Sequence, residues 1–502
     1  MKLKQLFILL LSLVTSGILL AGEREAQRYL ESVRNEPVLL RHFLFNFPKG
    51  GDLHNHLDGA IYAENFIGWA AADGKCVDIE TWFIVAPPCD TAAGRPPVSD
   101  IQHDFDKGNK LIDALSTRNY ERRSRSGHQQ FFSTFRRFFQ AGLGHEGHML
   151  AEASSRAARQ NIVYLELMQS WGMAEARELA SENPAFSPDL PIQSVAANPA
   201  MDRLVDSTLE NLDAVEKQWR DKLMCETSSA DPGCDVPVRY LAQVIRVFPR
   251  DQVLAQTILA FKLIERDPRF VGLNFVAPED NPVTLRDYHW QMEIVGALGK
   301  IFPVAARGVT LHAGELVLGL VPPEHLGWHI REAIDIAGAR RIGHGIDVFY
   351  DPDYPGLMKQ MANKDIMVEI NLTSNDVILG VKDDRHPFNV YRKHGVPMAF
   401  STDDEGVSRI DLTHEYQRAV ETYDLAYRDI KQFSRNALHY SFLAGDSLLD
   451  KKRRDGFVKV CAGSSPGKTA ASAACQAFLD ANDKARWQWD LESRFYRFEK
   501  QY

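Results

Sequence analysis

The stretch of sequence from which the fold of this 502-residue chain can be worked out is GDLHNHLDG, residues 51–59. A β-strand points alternate side chains to the same face, so His54 and His56 lie together on one face of a strand. Two imidazoles on one face supply half of a typical metal site. Asp58 then follows in a turn and keeps a carboxylate near the pair. Alone, the pattern is more typical of a strand with two surface histidines than of a metal site, so the rest of the site has to come from elsewhere in the chain.

Seven further short apolar runs follow this strand and alternate with helical patterns. The predicted strands are residues 161–167, 238–247, 270–275, 308–312, 341–344, 366–370 and 397–401. Continuous apolar strands that alternate with helices indicate a parallel sheet covered by helices. Eight such units predict an α/β fold of the closed (β/α)8 TIM-barrel type. A doubly wound open sheet is the alternative, but no glycine-rich phosphate loop follows any of the strands.

Two segments do not fit the alternating pattern. Residues 73–126 are rich in turns, and residues 455–480 are rich in alanine, glycine and serine, so we interpret both as peripheral insertions. The stretch from residue 411 to about residue 443 is helical in pattern, which predicts additional helices after the barrel. We expect one catalytic domain over residues 23–502.

The six cysteines fall into three pairs of near neighbours in the sequence. The pairs are Cys76 with Cys89, Cys225 with Cys234, and Cys461 with Cys475. None of them has the C-x-x-C spacing of a zinc ribbon or a thioredoxin site. Disulfides that clip the two insertions and one further loop are the interpretation that we adopt, and they require an oxidising compartment. Other connectivities, and free thiols in a cytosolic protein, stay open at this point.

The N-terminus has the pattern of a secretory signal peptide over residues 1–22. Lys2 and Lys4 precede an apolar run over residues 6–20, and small residues follow at Ala21 and Gly22. The run is too short for a spanning helix, so we expect no membrane attachment after the signal is removed. We expect export to a periplasm and not to an extracellular space, because the positively charged N-terminal segment is short and the apolar run that follows it is compact.

Composition excludes one class of partner. The net charge is −9, and 45% hydrophobic with 25% charged residues is ordinary for a globular enzyme. A surface that binds nucleic acid needs clustered positive charge, so we expect no nucleic-acid partner.

Reactive residues of a (β/α)8 barrel lie at the C-terminal ends of its strands. The candidates at the predicted strand ends are His54 and His56 on the first, His312 and Glu315 on the fifth, His344 on the sixth, and Asp403 and Asp404 on the eighth. Four histidines and several carboxylates at one rim predict a mononuclear metal site with acid–base groups beside it. A second motif, His145-Glu-Gly-His148, is one residue shorter than the H-E-x-x-H zinc motif and does not match it.

These motifs, in this order, resemble the adenosine deaminase family of the amidohydrolase superfamily, and most of all its secreted branch, the adenosine deaminase-related growth factors. The matching pieces are residues 52–59, 310–315, 341–345, 373–375 and 401–404, which extend across about 350 residues. The resemblance implies one Zn²⁺ per chain. It also implies that the ligands of this ion are His54, His56, His312 and Asp403. A coordinated water would complete such an open site, and zinc makes that water acidic enough to react at neutral pH.

The resemblance also implies roles for the remaining candidates. His344 would orient the water and assist its deprotonation, and Glu315 would donate a proton to ring nitrogen 1 of the purine, which requires a raised pKa. Asp404 would contact nitrogen 7, and Asp58, together with His56, would hold the ribose. Ala277 stands where the family often has a glycine whose N–H contacts nitrogen 3, and its methyl group restricts the backbone there.

The sequence therefore predicts an exported zinc-dependent adenosine deaminase that converts adenosine and 2′-deoxyadenosine to inosine-type products and ammonia. One alternative is an amidohydrolase with another purine substrate; the absence of lysine from the strand at residues 270–275 disfavours its two-metal version. Another alternative is a secreted, growth-factor-like binding protein that uses the barrel as a scaffold. The expected partner is a small purine nucleoside, and the resemblance to the secreted branch suggests a homodimer.

Overall fold

A computed structural model describes residues 22–122, 125–450 and 453–502 of the chain. Nearly all of the predicted signal peptide, residues 1–21, lies outside the described residues. The eight barrel strands, numbered here β1 to β8, are Lys49–His56, Ile162–Gln169, Val238–Ile245, Phe270–Val276, Thr310–Ala313, Arg341–His344, Met367–Ile370 and Met398–Phe400. The bounds of β2 to β8 lie within two residues of the predicted ones.

The eight strands form two four-stranded sheets, β1 to β4 and β5 to β8, each in sequence order. The strand pairs are parallel throughout β2 to β4 and β5 to β8. Two single parallel bridges join the sheets: Leu273 in β4 with Val309 before β5, and Asn55 in β1 with Asp403 after β8. We call these the β4/β5 seam and the β8/β1 seam. With both seams in place the strands close into the predicted (β/α)8 barrel, and the C-terminal ends of the strands meet at one rim.

Helices lie between successive strands. Between β1 and β3 they are Ala63–Ala72, Val98–Gln102, Phe105–Ala114, Gly127–Gly142, Glu146–Arg159, Met173–Glu182, Ile192–Ala196 and Pro199–Lys222. From β3 onwards they are Arg250–Arg266, Pro282–Ile301, His329–Asp335, Tyr354–Asn363, Leu372–Leu379, Phe388–His394 and Glu405–Ser408. Single turns of 3₁₀-helix occur at Tyr120–Arg122, Pro184–Phe186, Pro232–Asp235, Ala305–Arg307, Pro323–His325, Ile346–Tyr350 and Asp383–Arg385.

The three disulfides join the same near neighbours that the sequence suggested. Cys76–Cys89 closes a segment with an antiparallel hairpin, Cys76–Asp78 with Phe83–Val85. Cys225–Cys234 closes the loop after the helix Pro199–Lys222, and Cys461–Cys475 lies near the C-terminus. Each of these three segments is therefore closed by a disulfide bond.

The described chain forms two compact units. One comprises the barrel segments Asp52–Ala158 and Leu165–Leu412, and it contains all of the candidate site residues. The other comprises the described residues up to Gly51 together with Arg159–Tyr164 and Thr413–Tyr502. Its helices, in chain order, are residues 22–33, Pro37–Asn46, Leu412–Tyr423, Tyr427–His439, Ala473–Ala481 and Asp483–Glu499. Two short strands lie at Leu449–Asp450 and Arg453–Phe457.

Aromatic side chains form the core of that second unit. Phe47 lies 5.8 Å from both Tyr427 and Phe498, measured between ring centroids, and Phe43 lies 5.1 Å from Phe498. The N-terminal part of this unit consists of two helices and not one, because Pro37 lacks the N–H that a continuing helix would use and begins a new helix. No helix in the described part of the chain is long and apolar enough to cross a bilayer.

Candidate metal centre and active site

The ends of three strands bring the predicted ligands together inside the barrel rim. His54 and His56 lie at the end of β1, His312 in β5, and Asp403 just after β8, and all four side chains are buried. The Nε2 atoms of His54 and His312 are 3.2 Å apart. The Oδ1 atom of Asp403 lies 3.3 Å from the Nε2 atom of each of the β1 histidines. Residues more than 250 positions apart in the chain thus form one compact donor set.

The other ring nitrogen of each of these histidines faces an oxygen atom. The Nδ1–H of His54 donates to Glu369 (2.6 Å), that of His56 to Gln243 (2.7 Å), and that of His312 to Asn274 (2.9 Å). An oxygen acceptor holds a proton on Nδ1, so Nε2 is the nitrogen of each ring that can give its lone pair to a cation. The three Nε2 atoms point into one space, where a cation would take the place of the protons that His54 and His56 share with Asp403.

Glu369, which orients His54, is itself held by buried partners. Its second oxygen accepts hydrogen bonds from Thr310 (2.8 Å) and from the guanidinium of Arg341 (2.6 Å). Burial raises the pKa of Glu369, but the Arg341 charge and the hydrogen bond from His54 outweigh it and lower the pKa to about 2. Glu369 is a carboxylate at any neutral pH and keeps His54 in one orientation.

His344 differs from the three ligand histidines because a donor, not an acceptor, faces its Nδ1. The backbone N–H of Phe388 donates to His386 Nδ1 (3.1 Å), so His386 carries its proton on Nε2 and donates to the Asn375 oxygen (3.1 Å). The Asn375 amide group then donates to His344 Nδ1 (2.9 Å). The proton of His344 is thereby placed on Nε2, which faces the site. Burial also lowers the pKa of His344 to about 4, so the ring is neutral.

The carboxylates of the site divide into one ionised and two protonated groups. Although burial raises the pKa of Asp403, hydrogen bonds from His54 and His56 hold it well below its usual value. Burial, and then the negative charge of Asp403, raise the pKa values of Glu315 and Asp404 well above the usual range. Burial also raises the pKa of Asp58. A buried acid such as Glu315, whose Oε1 lies 3.7 Å from His344 Nε2, can act as a proton donor at neutral pH.

The segment that carries Glu315 is anchored by a second buried carboxylate. Glu279 accepts hydrogen bonds from the backbone N–H groups of Gly314 (2.9 Å) and Glu315 (2.7 Å). His329 Nδ1 lies 2.5 Å from the same carboxylate. Burial raises the pKa of Glu279, but the hydrogen bond from His329 and its charge lower the pKa to about 2. The Glu279–His329 pair therefore fixes the backbone from which Glu315 projects.

Close approaches and strained backbone mark the same rim. A Cβ atom on Gly59 would lie 1.5 Å from Asp404 Oδ1, so a glycine is needed at this position. Three residues that are not glycine have left-handed backbones here: His344 (φ 74°), Asp403 (φ 60°) and Ala277 (φ 91°). Such conformations cost free energy and gather at functional sites. They aim side chains, and in Ala277 an N–H, in directions that a regular strand does not allow.

The donor set fits a single divalent cation. Four buried groups that lie within 4.8 Å of one another, His54, His312, His344 and Asp403, could hold an ion, and His56, Asp403 and Asp404 form an overlapping group. Because His344 presents an N–H, the tautomers leave three imidazole lone pairs and one carboxylate, the set that the sequence suggested. Imidazole with carboxylate oxygen suits zinc and related transition metals.

Several residues of this site were not found by sequence reasoning. They are Gln243, Asn274, Glu369, Asn375, His386 and the Glu279–His329 pair. Glu369 and Asn274 gave a readable signal, because each is a polar residue inside an otherwise apolar strand. His386 gave none, since its role depends on a contact with Asn375 that only the folded chain makes.

Comparison with known proteins agrees with this geometry. The family model described as adenosine deaminase matches residues 146–453. The adenosine deaminase of Clostridium perfringens is 31% identical over 192 residues, which cover 38% of this chain and 53% of that protein. The enzyme of Escherichia coli is 36% identical over 139 residues, 28% of this chain and 38% of that protein. The alignment thus spans about half the length of the curated relative with the longer match.

Two solved structures share the fold at low sequence identity. An amidohydrolase from Burkholderia ambifaria, described with bound Zn, superposes with a TM-score of 0.51 at 16% identity and covers 92% of this chain and 94% of that one. The N6-methyl-AMP deaminase of Arabidopsis thaliana gives 0.50 at 21% identity over 81% and 95% of the two chains. The family model covers more than half of the chain, and its matched region includes the ends of β5, β6 and β8. The chain belongs to the adenosine deaminase family.

Proposed function

We propose that the protein is a zinc-dependent adenosine deaminase that hydrolyses adenosine and 2′-deoxyadenosine at carbon 6 and releases ammonia. The observation that carries this proposal is the pairing of two features. The Nε2 atoms of His54, His56 and His312 gather around Asp403, and Glu315, a buried acid whose pKa burial raises, lies beside them. Hydrolytic deamination of a purine needs both a means to activate water and an acid that protonates the ring.

The residues that would hold zinc are His54, His56, His312 and Asp403. When bound, zinc supplies a Lewis acid that makes water nucleophilic at neutral pH. The chain supplies the remaining requirements. Glu369, Gln243 and Asn274 keep the three rings oriented, so little reorganisation is needed when the site is loaded.

Glu315 supplies the proton that makes the ring reactive. Its acid form donates to nitrogen 1, which draws electron density from carbon 6 and allows a water oxygen to bond there. The carbon–nitrogen bond to the exocyclic amine then breaks and the carbonyl of the product forms. The proton from Glu315 stays on nitrogen 1. Of the two protons of the water, one passes to the amine, which leaves as ammonia, and the other restores the acid form of Glu315. Glu279 holds the backbone of Glu315 in place for this transfer.

The hydrogen-bond chain through Asn375 bears on the role of His344. Because its Nε2 carries the proton, His344 is suited to donate a hydrogen bond that orients the attacking oxygen. The proton-accepting role expected from the resemblance would require the other tautomer. Donation is therefore the role that we assign to His344.

The substrate contacts follow from protonation states and position. The protonated Asp404 can donate a hydrogen bond to nitrogen 7, an acceptor. Asp58 and His56 lie at the end of β1, where they would hold the ribose, and the N–H of Ala277 would face nitrogen 3. Adenosine is favoured over other purines because the curated relatives above are adenosine deaminases.

The decisive test is a comparison of substrates and of two glutamate variants. Zinc-loaded protein should release ammonia from adenosine and 2′-deoxyadenosine much faster than from adenine or AMP. Glu315→Gln should reduce kcat by about 10²–10⁴-fold, the usual contribution of a general acid. Glu293→Gln, on the exposed face of the helix Pro282–Ile301, is the matched control and should be as active as wild type. Faster turnover of AMP or adenine than of adenosine would show that the substrate is wrong.

Export and assembly belong to the same proposal. Three disulfides support an oxidising compartment, and a periplasm is the one that we propose. Cell fractionation followed by N-terminal sequencing should find the mature chain there, starting near residue 23. A homodimer, predicted from the resemblance, is tested by light scattering on the same sample.

A further inference from the structure

The motif His145-Glu-Gly-His148, which the deaminase chemistry does not use, forms a pair of facing imidazoles. The helix Glu146–Arg159 begins here, and a single helical turn carries both rings to the same side. Their Nδ1 atoms are 2.9 Å apart. His145 is 13% exposed, so the pair is reachable from solvent but not freely mobile.

A carboxylate orients one of the two rings. Asp73, at the end of the helix Ala63–Ala72, lies 3.0 Å from His145 Nε2. The carboxylate accepts the Nε2–H of His145, which leaves the lone pair of that ring on Nδ1, facing His148. This is the arrangement that fixes a ligand histidine in metalloproteins, in which a carboxylate holds the nitrogen that does not bind the ion.

An indole ring fixes the plane of the same histidine. The ring of Trp69 stacks on that of His145, with centroids 5.0 Å apart and planes only 7° from parallel. Burial, and then repulsion from the neighbouring His145 and Lys222 side chains, lower the pKa of His148, which favours the neutral ring with a lone pair. The hydrogen bond from His145 to Asp73 directs the lone pair of the other ring to Nδ1, so each ring has a nitrogen available to a cation.

The distance between the two nitrogens discriminates between metals. Two nitrogens that each lie about 2.0–2.1 Å from one ion are about 2.9 Å apart when their bonds meet at a right angle, and about 3.4 Å apart at the tetrahedral angle. The observed 2.9 Å is the length of a hydrogen bond between the two rings, and a right-angled site could form from it without changing the distance between the nitrogens. Tetragonal Cu²⁺ and Ni²⁺ prefer that geometry, and Cu²⁺ binds nitrogen ligands more tightly than the other first-row divalent ions.

We propose that His145 and His148 form a second cation site, separate from the deaminase centre, that binds Cu²⁺ and more weakly Ni²⁺. In the metal-free protein His148 Nδ1–H donates to His145 Nδ1. On binding, that proton is transferred through solvent to Nε2 of the same ring, which stays neutral, and both Nδ1 atoms coordinate the ion. Water completes the coordination, and Asp73 acts as a positioning residue.

The fluorescence of the neighbouring Trp69 indole can be used to detect binding of Cu²⁺ at this pair. Full-length protein that retains its catalytic metal is titrated with CuCl₂, and binding is followed by calorimetry and by quenching of tryptophan fluorescence. Wild type should bind one Cu²⁺ with quenching. Trp69→Phe should bind Cu²⁺ equally well by calorimetry but lose most of the quenching, although seven of the eight tryptophans remain.

Variants of the ligands decide the matter. His148→Gln and His145→Gln should each weaken Cu²⁺ binding at least tenfold, and Asp73→Asn should weaken it by about tenfold, as is usual for a residue that orients a ligand. His103→Gln, which replaces an exposed histidine elsewhere, should bind as wild type does. Unchanged deamination by His148→Gln shows that the variant is folded.

Three outcomes would overturn the proposal. The first is an unchanged Cu²⁺ affinity in both His145→Gln and His148→Gln. The second is quenching that persists in Trp69→Phe, which would place the ion elsewhere. The third is tighter binding of Zn²⁺ than of Cu²⁺ at this pair, which would contradict the tetragonal assignment.

Discussion

The tautomer of each histidine in the metal centre is set by one neighbouring polar side chain. Three oxygens face the Nδ1 atoms of His54, His56 and His312, while the Asn375 amide group faces that of His344. Four rings of the same chemistry thus divide into three lone-pair donors and one hydrogen-bond donor. The division between metal ligands and reaction groups is made by their neighbours and not by the rings themselves.

Asn375→Asp tests this division at a single atom. A carboxylate oxygen at this position would accept from His344 Nδ1 and so remove the proton from Nε2, where the proposed mechanism needs it. We expect kcat to fall by about 10–100-fold, a typical effect of changing a residue that orients a site histidine, with a much smaller change in KM. Steady-state kinetics measure both. Asn363→Asp, at an exposed helix end, is the control, and equal kcat values for the two variants would refute the assignment.

Ala277 carries a second prediction at the scale of one residue. Its φ of 91° is one that alanine adopts only with strain. Removing the strain of a left-handed alanine should stabilise the folded state by about 1–2 kcal/mol. The greater conformational entropy of glycine in the unfolded chain offsets about 0.5–1 kcal/mol of that gain. Ala277→Gly should therefore increase the free energy of unfolding by about 0.5–1 kcal/mol, by the balance of those two effects.

Chemical denaturation of Ala277→Gly and of a matched variant measures this gain. Ala214→Gly, at an exposed position within the helix Pro199–Lys222, should instead lose about 1 kcal/mol, because glycine is a poor helix former. A loss of stability in both variants would mean that the Ala277 methyl group makes packing contacts that outweigh the strain.

At the scale of elements, the turn after β6 carries a buried acid that affects the pH dependence of folding. Asp347, in the 3₁₀-helix Ile346–Tyr350, accepts a hydrogen bond from the backbone of Gly327 (2.8 Å), and burial raises its pKa from 3.8 to about 7. The folded state then binds more protons than the unfolded state between about pH 4 and 7. Stability from this group is complete below pH 4 and is lost as the pH rises towards 7.

Asp347→Asn removes that dependence without changing the shape of the side chain. The variant should gain stability relative to wild type as the pH rises from about 4 to 7, by at most about 1.4 kcal/mol per pH unit. Denaturation midpoints at several pH values, measured on both proteins, test the slope. A constant difference between the two across this range would mean that Asp347 is already ionised in the folded protein.

The strands were predictable from sequence and the orientation of side chains across them was not. Continuous apolar runs locate β2 to β8, and the position of His54, His312 and Asp403 at strand ends follows from barrel geometry. The partners of those residues depend on the register between strands. For example, Glu369 in β7 reaches His54 in β1, 315 positions away, and nothing in either local sequence indicates that contact.

At the scale of the whole molecule, loading of the metal centre should stabilise the barrel. A ligand that binds the folded state alone adds about 2.7 kcal/mol when its concentration is one hundred times Kd. We expect removal of zinc by a chelator to abolish deamination and to lower Tm by several degrees, and re-addition of Zn²⁺ to restore both. Calorimetry with Mg²⁺ in place of Zn²⁺ is the control, since Mg²⁺ prefers oxygen ligands. Equal Tm values with and without zinc would contradict this expectation.

The two seams of the barrel have a consequence for how the protein matures. His54 and His56 belong to the sheet β1 to β4, whereas His312 and Asp403 belong to the sheet β5 to β8 and its end, and single bridges join the two sheets. Neither sheet alone offers more than two of the four donors. A newly made chain with only one sheet assembled therefore has no high-affinity place for the ion. Binding of the cation would therefore stabilise only a chain in which the last strand has already paired with the first.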